Sequence, residues 1–224
     1  MSEPLAPKCA VCGIEKEKRA CGSDEGVGPE GCPTIEGREV VAAAMEKYAD
    51  PEIAAFARAA SLQEAAGYAD RETRPRAVKT RVEEICEFAE RMRFRKLGIA
   101  FCSGLILEGR LLHDVLTARG FEVASVVCKA GCVPKAEIGL GDEDQVRPGR
   151  FESMCNPISQ AEFLNRAGTE LNIMMGLCVG HDSLFLKHAE AYTTVLAAKD
   201  RVTGHNPLAA LYTSGSYYRR LMGK

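Results

Sequence analysis

The second half of the sequence predicts an α/β fold built on a parallel sheet of about four strands, and three observations carry this expectation. Short apolar segments, KLGIAF, FEVASVV, LNIMMGL and YTTVLAA, recur from Phe94 onward. Stretches of helical length and composition separate them, the alternation of a parallel sheet covered by helices with right-handed crossovers. Cysteines gather where these segments end, and open parallel sheets place their ligands outside the carboxyl ends of their strands.

The strand elements are Lys96 to Phe101, Phe121 to Val127, Leu171 to Leu177 and Tyr192 to Ala198. Between them, helices are expected over Leu105 to Arg119, Pro157 to Ala167 and Ser183 to Ala189, with Gly120 and Gly168 closing the first two. The link from Lys129 to Ser153 is long, and loops of that length in compact domains are functional or disordered. Ahead of the sheet, residues 35–93 read as a helical connector. Its helices are expected over Ile35 to Tyr48, over Pro51 to Ala66 with Asp50 before the proline, and over Pro75 to Arg93. The last follows from Val78, Val82, Ile85, Ala89 and Met92 falling on one helical face. Cys86 beside that stripe reads as a small core residue.

Residues 1–34 form a cysteine-rich segment, and residues 94–224 the α/β domain with a second cysteine-lined site. In the first segment Cys9, Cys12, Cys21 and Cys32 have the spacing C-x2-C-x8-C-x10-C, with almost no periodic apolar residues around them. A ligated ion would supply the missing stability. Four thiolates suit zinc or an iron–sulfur cluster. Only one of the two knuckles of a zinc ribbon is present, and Cys32 is followed by Pro33 in the manner of a ferredoxin-type run whose other spacings differ.

Composition narrows the classes. A chain of 224 residues with 46% hydrophobic content can bury a substantial core. A net charge of -2 gives no reason to expect nucleic acid. No apolar run has the length of a membrane span, and the start MSEPLAPKC lacks a signal pattern, so a cytoplasmic location is expected. In that reducing compartment ten cysteines point to metal or redox chemistry rather than structural disulfides.

The second site draws on Cys102, Cys128, Cys155 and Cys178, each at a strand end or before a helix. Cys178, in LCVGHD, is expected beside a helix N-terminus, where unpaired N–H groups favour a thiolate. Cys155, before Asn156 and Pro157, has the same expected setting. Cys132, in CKAGC, either shares a ligand with Cys128 or forms a redox dithiol with it. His181 and Asp182 read either as an acid–base pair or as a ligand with its supporting partner, with His181 the candidate proton donor, and Asp182 reads alternatively, and more readily, as a helix N-cap. His205 either reaches the same cleft or caps a turn, and Lys199, Asp200 and Arg201 either anchor a substrate or form a solvated loop. No glycine-rich phosphate loop or dinucleotide fingerprint is present, so no nucleotide cofactor is expected.

The stretches GLCVGHDSLF, AKDRVTGHNPLAALY, MCNPISQAEFLN and FCSGL, with the cysteine-rich start, resemble a prokaryotic family of unknown function, domain of unknown function 1847, labelled only as metal-binding. The matching residues are Cys9, Cys12, Cys21, Cys32, Cys102, Cys128, Cys155, Cys178, His181 and Asp182. The resemblance implies a metal and little about activity.

Three functions stand. The first is an iron–sulfur redox protein with a relay cluster at the N-terminal four cysteines and a second cluster at the strand ends, 4Fe-4S by ligand number, working with a redox partner protein and a small-molecule substrate. The second is a zinc-binding module without turnover. The third is a thiol or persulfide enzyme using Cys178 as nucleophile.

Overall fold

The computed structural model describes residues 6–223. The chain divides into two compact units, residues 1–62 and 63–224.

In the first unit, 3-10 turns at Cys9–Val11 and Lys16–Lys18 precede a bridge between Arg19 and Val27. Helix α1 (Pro33–Glu36) and helix α2 (Arg38–Lys47) follow, then helix α3 (Pro51–Ala66), whose last turn lies beyond the boundary. The sequence leads one to expect a single helix from Ile35 to Tyr48; the backbone breaks it at Gly37, whose φ of -96° and ψ of 25° leave the helical region. Asp50 caps α3 by accepting the N–H groups of Glu52 and Ile53. Among the described residues of this unit, Ala59 is the one buried hydrophobic side chain.

The second unit begins with a small antiparallel pair, β1 (Tyr68–Ala69) and β2 (Arg76–Ala77). Helix α4 (Arg81–Met92) comes next, and here the structure corrects the sequence reading, which starts the helix at Pro75. Thr80 forms a capping box with Glu83: its hydroxyl accepts the Glu83 N–H, and its own N–H donates to the Glu83 carboxylate. The preceding residues pair as β2, and Val78 donates to the Gly67 carbonyl. Cys86 is fully buried in the core, as expected.

Strands β3 (Lys96–Phe101), β4 (Glu122–Val127), β5 (Leu171–Met175) and β6 (Tyr192–Ala197) form one parallel sheet in the order β4-β3-β5-β6. The α/β architecture expected from the sequence is therefore observed. In register, Leu97 stands opposite Val123 on one side and Leu171 on the other. The central strands β3 and β5 are buried almost throughout, while β4 and β6 are partly exposed edges.

Because successive strand residues point to opposite faces, Leu97, Ile99, Phe101, Leu171, Ile173 and Met175 pack with α4 and with helix α5 (Ile106–Ala118). Ala100 and Met174 face the other way, toward helix α6 (Pro157–Arg166) and helix α7 (His181–His188). The chain leaves β3 toward β4 through α5 on one face and leaves β5 toward β6 through α7 on the other. The carboxyl ends of β3 and β5 therefore flank a topological switch point, where doubly wound sheets hold their ligands. Helix α8 (Pro207–Tyr212) and a 3-10 turn at Arg219–Met222 end the described chain.

Two glycines make this arrangement possible. Gly98 on β3 lies opposite Asn172 on β5, and a Cβ there would fall 2.1 Å from Asn172 Oδ1. Gly176, just after β5, has φ +64°, and a Cβ would fall 2.2 Å from Leu105 Cδ1.

Candidate functional site

Cys102 follows β3 directly, Cys128 follows β4, and Cys178 stands two residues beyond Gly176 at the end of β5. Cys155 arrives from the long loop. The Pro134–Ser153 bridge closes that loop, and the Asn156 N–H binds the Cys128 carbonyl at 2.7 Å, which seats the residues around Cys155 beside the end of β4. Cys102 and Cys155 pack on the same apolar cluster that contains Cys128.

The thiols of Cys128 and Cys155 are hydrogen-bonded at 3.7 Å. Cys128 also has the thiol of Cys102 as a hydrogen-bonding neighbour. The 3-10 turn at Ser103–Leu105 aims two backbone donors at sulfur: Ser103 N–H to Cys128 Sγ at 3.3 Å and Gly104 N–H to Cys102 Sγ at 3.4 Å. Buried Gln160 fixes the strand ends from below, its amide donating to the carbonyls of Phe101 at 3.2 Å and Val126 at 2.7 Å.

The thiols differ in acidity. The hydrogen bond with Cys128 and burial push Cys102 up to about 12, against the pull of the Gly104 N–H and the Lys199 ammonium. Cys155 moves the other way: the hydrogen bond with Cys128 brings it down to about 7, helped by the Lys129 charge and opposed by burial. Between Cys102 and Cys155, negative charge therefore settles first on Cys155.

Cations surround the sulfurs. Arg201, from the loop after β6, donates to Cys178 Sγ at 3.0 Å, and Lys199 stands beside Cys102. Lys129 donates to the Ser153 carbonyl. None of the three forms an ion pair with a carboxylate among the described residues. The sequence left Lys199 and Arg201 open between anchoring and solvated roles; their only signal was a position on the carboxyl side of the last strand.

Local structure corrects the expectation for the Cys178 turn. Helix α7 starts at His181, with Gly180 at the cap, so Asp182 lies inside the first turn rather than at the N-cap. The first N–H groups of α7, from His181 and Asp182, bind the Cys178 carbonyl, and the Ser183 N–H binds the Asp182 carboxylate. The Cys178 sulfur thus meets a guanidinium instead of free helix N–H groups. At α6, Asn156 is the cap and accepts the Ser159 N–H, so Cys155 precedes the cap. His181 Nδ1 is buried without a hydrogen-bond partner among the described residues. His205, with φ +66°, locks its own loop, its Nδ1 accepting the Asp200 N–H at 3.2 Å. Cys132 is exposed in a left-handed turn, its N–H bound to the Lys129 carbonyl.

In the first unit, Cys9, Cys12, Cys21 and Cys32 line one cleft of about 640 Å³, with Gly28 packed against Cys32. Cys9 and Cys21 are exposed, the other two partly buried. Among the described residues, no three His, Cys, Asp or Glu side chains stand in an arrangement ready to grip a metal, here or at the strand ends. Both sets consist of thiols, the soft donors that a thiophilic metal takes.

A family model described as a protein of unknown function, DUF1847, matches residues 32–196. The chain belongs to the DUF1847 family. The matched part holds Cys102, Cys128, Cys155, Cys178 and His181, whereas Cys9, Cys12 and Cys21 precede it and Lys199 and Arg201 follow it. An uncharacterized protein of Methanocaldococcus jannaschii is similar to this DUF1847 chain, 47% identical over 146 residues, which is 65% of this chain and 74% of the relative. No helix among the described residues of this DUF1847 protein is long and apolar enough to cross a membrane.

Proposed function

We propose that the protein binds a thiophilic metal at the carboxyl end of its sheet through Cys102, Cys128, Cys155 and Cys178, as an iron–sulfur redox protein. The gathering of these four residues around the switch point, with backbone N–H groups on two of the sulfurs and uncompensated cations beside them, carries the reading. N–H donors and cations lower the cost of collecting thiolate charge, and hydrogen bonds to sulfur tune a cluster's potential. Metal binding displaces the thiol protons, including that of Cys102.

Cys9, Cys12, Cys21 and Cys32 would hold the relay cluster, and a metal there would stabilise a unit with little apolar core of its own. Either set suits 4Fe-4S by ligand number. If one strand-end cysteine is not a ligand, a small substrate has room to bind, and His181 is the group to supply a proton. The redox role implies a partner protein.

A second reading keeps the metal in the first unit and gives Cys178 the role of nucleophile in thiol or persulfide chemistry. The Arg201 guanidinium on its sulfur supports this reading.

The test is the visible spectrum with iron, sulfide and zinc contents of anaerobically purified protein, together with Cys178→Ala and Cys12→Ala variants. Broad visible absorption with iron and sulfide, reduced in each variant, is the expected result. Stoichiometric zinc without colour overturns the cluster and leaves a zinc-binding module. Alkylation of Cys178 that abolishes a thiol-transfer activity without loss of metal selects the second reading.

A further inference from the structure

We propose that Cys128 and Cys155 form a redox-active dithiol in the metal-free chain and exchange with small anionic disulfides. This goes beyond the metal reading, since it concerns the protein before metal is loaded, and it pairs Cys128 with a residue 27 positions away instead of with its neighbour Cys132.

The two sulfurs stand 3.7 Å apart, and a disulfide needs about 2.05 Å, a closure within reach of side-chain rotation. The backbones are already held together by the Asn156 N–H on the Cys128 carbonyl and by the Met154 N–H on the Val133 carbonyl. Exposure assigns the order of attack. Cys155 is partly accessible, whereas Cys128 is 2% exposed and reaches an incoming disulfide only through Cys155.

In the first step the Cys155 thiolate attacks one sulfur of a disulfide RSSR. The S–S bond breaks, one RS⁻ leaves, and a mixed disulfide forms on Cys155. The Cys128 thiolate, with the Ser103 N–H on its sulfur, then attacks the Cys155 sulfur. The second RS⁻ leaves and the Cys128–Cys155 disulfide remains. The dithiol gives up two electrons to the substrate disulfide, and its two protons end on the two departing thiolates.

Substrate class follows from charge. Lys129, Lys199 and Arg201 lie around this end of the sheet with no carboxylate partner among the described residues, so carboxylate-bearing disulfides are drawn in and cationic ones repelled.

The experiment treats the full chain, stripped of metal under reducing conditions, with glutathione disulfide, quenches with an alkylating agent and maps the peptides. A link between the Cys128 and Cys155 peptides, reversed by dithiothreitol, is expected. In Cys128→Ser, glutathione remains on Cys155; in Cys155→Ser, Cys128 stays unmodified. Persistent glutathione on Cys155 of the wild-type chain, or a link from Cys155 to Cys102 or Cys178, overturns the pair, and this readout does not depend on any variant folding. Glutathione disulfide is expected to react about tenfold faster than cystamine at low salt, a gap that Arg201→Ala and Lys199→Ala narrow. Equal rates overturn the anionic class. Metal and sulfide contents are measured on separate, untreated protein, so failure of the link and failure of the metal reading are told apart.

Discussion

At the scale of single residues, close approach decides what is tolerated. Gly98 and Asn172 face each other across the two central strands, and Asn172 Oδ1 is already committed to the Thr169 hydroxyl at 2.8 Å. Gly98→Ala forces that side chain or Leu164 aside and is expected to cost about 1–3 kcal/mol, read from the urea midpoint. Acidity is equally local. Cys155 is brought down to about 7 and Cys102 is pushed up to about 12. Iodoacetamide is therefore expected to modify Cys155 of the metal-free chain well before Cys102, with a rate that climbs as pH rises through about 7, followed by peptide mapping. Modification of Cys102 first overturns the assignment of charge to Cys155. Of these residue-level facts the sequence shows the identities and little else, because a contact between Gly98 and Asn172 or between Cys128 and Cys155 joins positions far apart in the chain.

Elements were largely legible, and the exceptions have local causes. The four strands and the helix from Pro51 stand where apolar runs and cap residues put them, since backbone hydrogen bonding and periodicity are short-range properties. Helix α4 is shorter than its sequence pattern suggests because the stripe from Val78 to Met92 continues the helical period backward past the true start at Arg81. Thr80 and Glu83 end that continuation by satisfying the first donors of the helix. Thr80→Ala is expected to remove about 1 kcal/mol of stability and to speed amide exchange in the first turn of α4 alone. Asp182 resembles a cap for a similar reason: a short polar side chain before an apolar stretch signals a helix start, yet with the Cys178 carbonyl accepting its first N–H groups α7 starts two residues earlier, at His181.

For the molecule as a whole, stability against acid follows from its carboxylates. Hydrogen bonds hold Glu83, Glu87 and Glu152 below their ordinary value of 4.5, through Thr80, through Lys79 and Gln63, and through Lys135 respectively. A group with a depressed folded-state pKa stabilises the fold fully above its ordinary value and loses that contribution as pH falls through the depressed one. Urea unfolding is thus expected to give a flat midpoint from about pH 7 to about pH 5 and a falling one below about pH 4.5. Lys79→Met lessens the Glu87 share of that fall. A midpoint that rises on acidification overturns the argument.

The sequence by itself determined the order of strands and helices, the parallel character of the sheet and the end of it at which the cysteines collect, all consequences of local periodicity and of the handedness of βαβ connections. The tertiary structure alone decided that the Cys128 thiol hydrogen-bonds with that of Cys155, that Arg201 rather than a helix terminus meets the Cys178 sulfur, and that Lys199 stands beside Cys102. These contacts depend on strand order and on which face each crossover takes. A residue's neighbours across a sheet are set by the packing of the whole chain, and no local spacing encodes them.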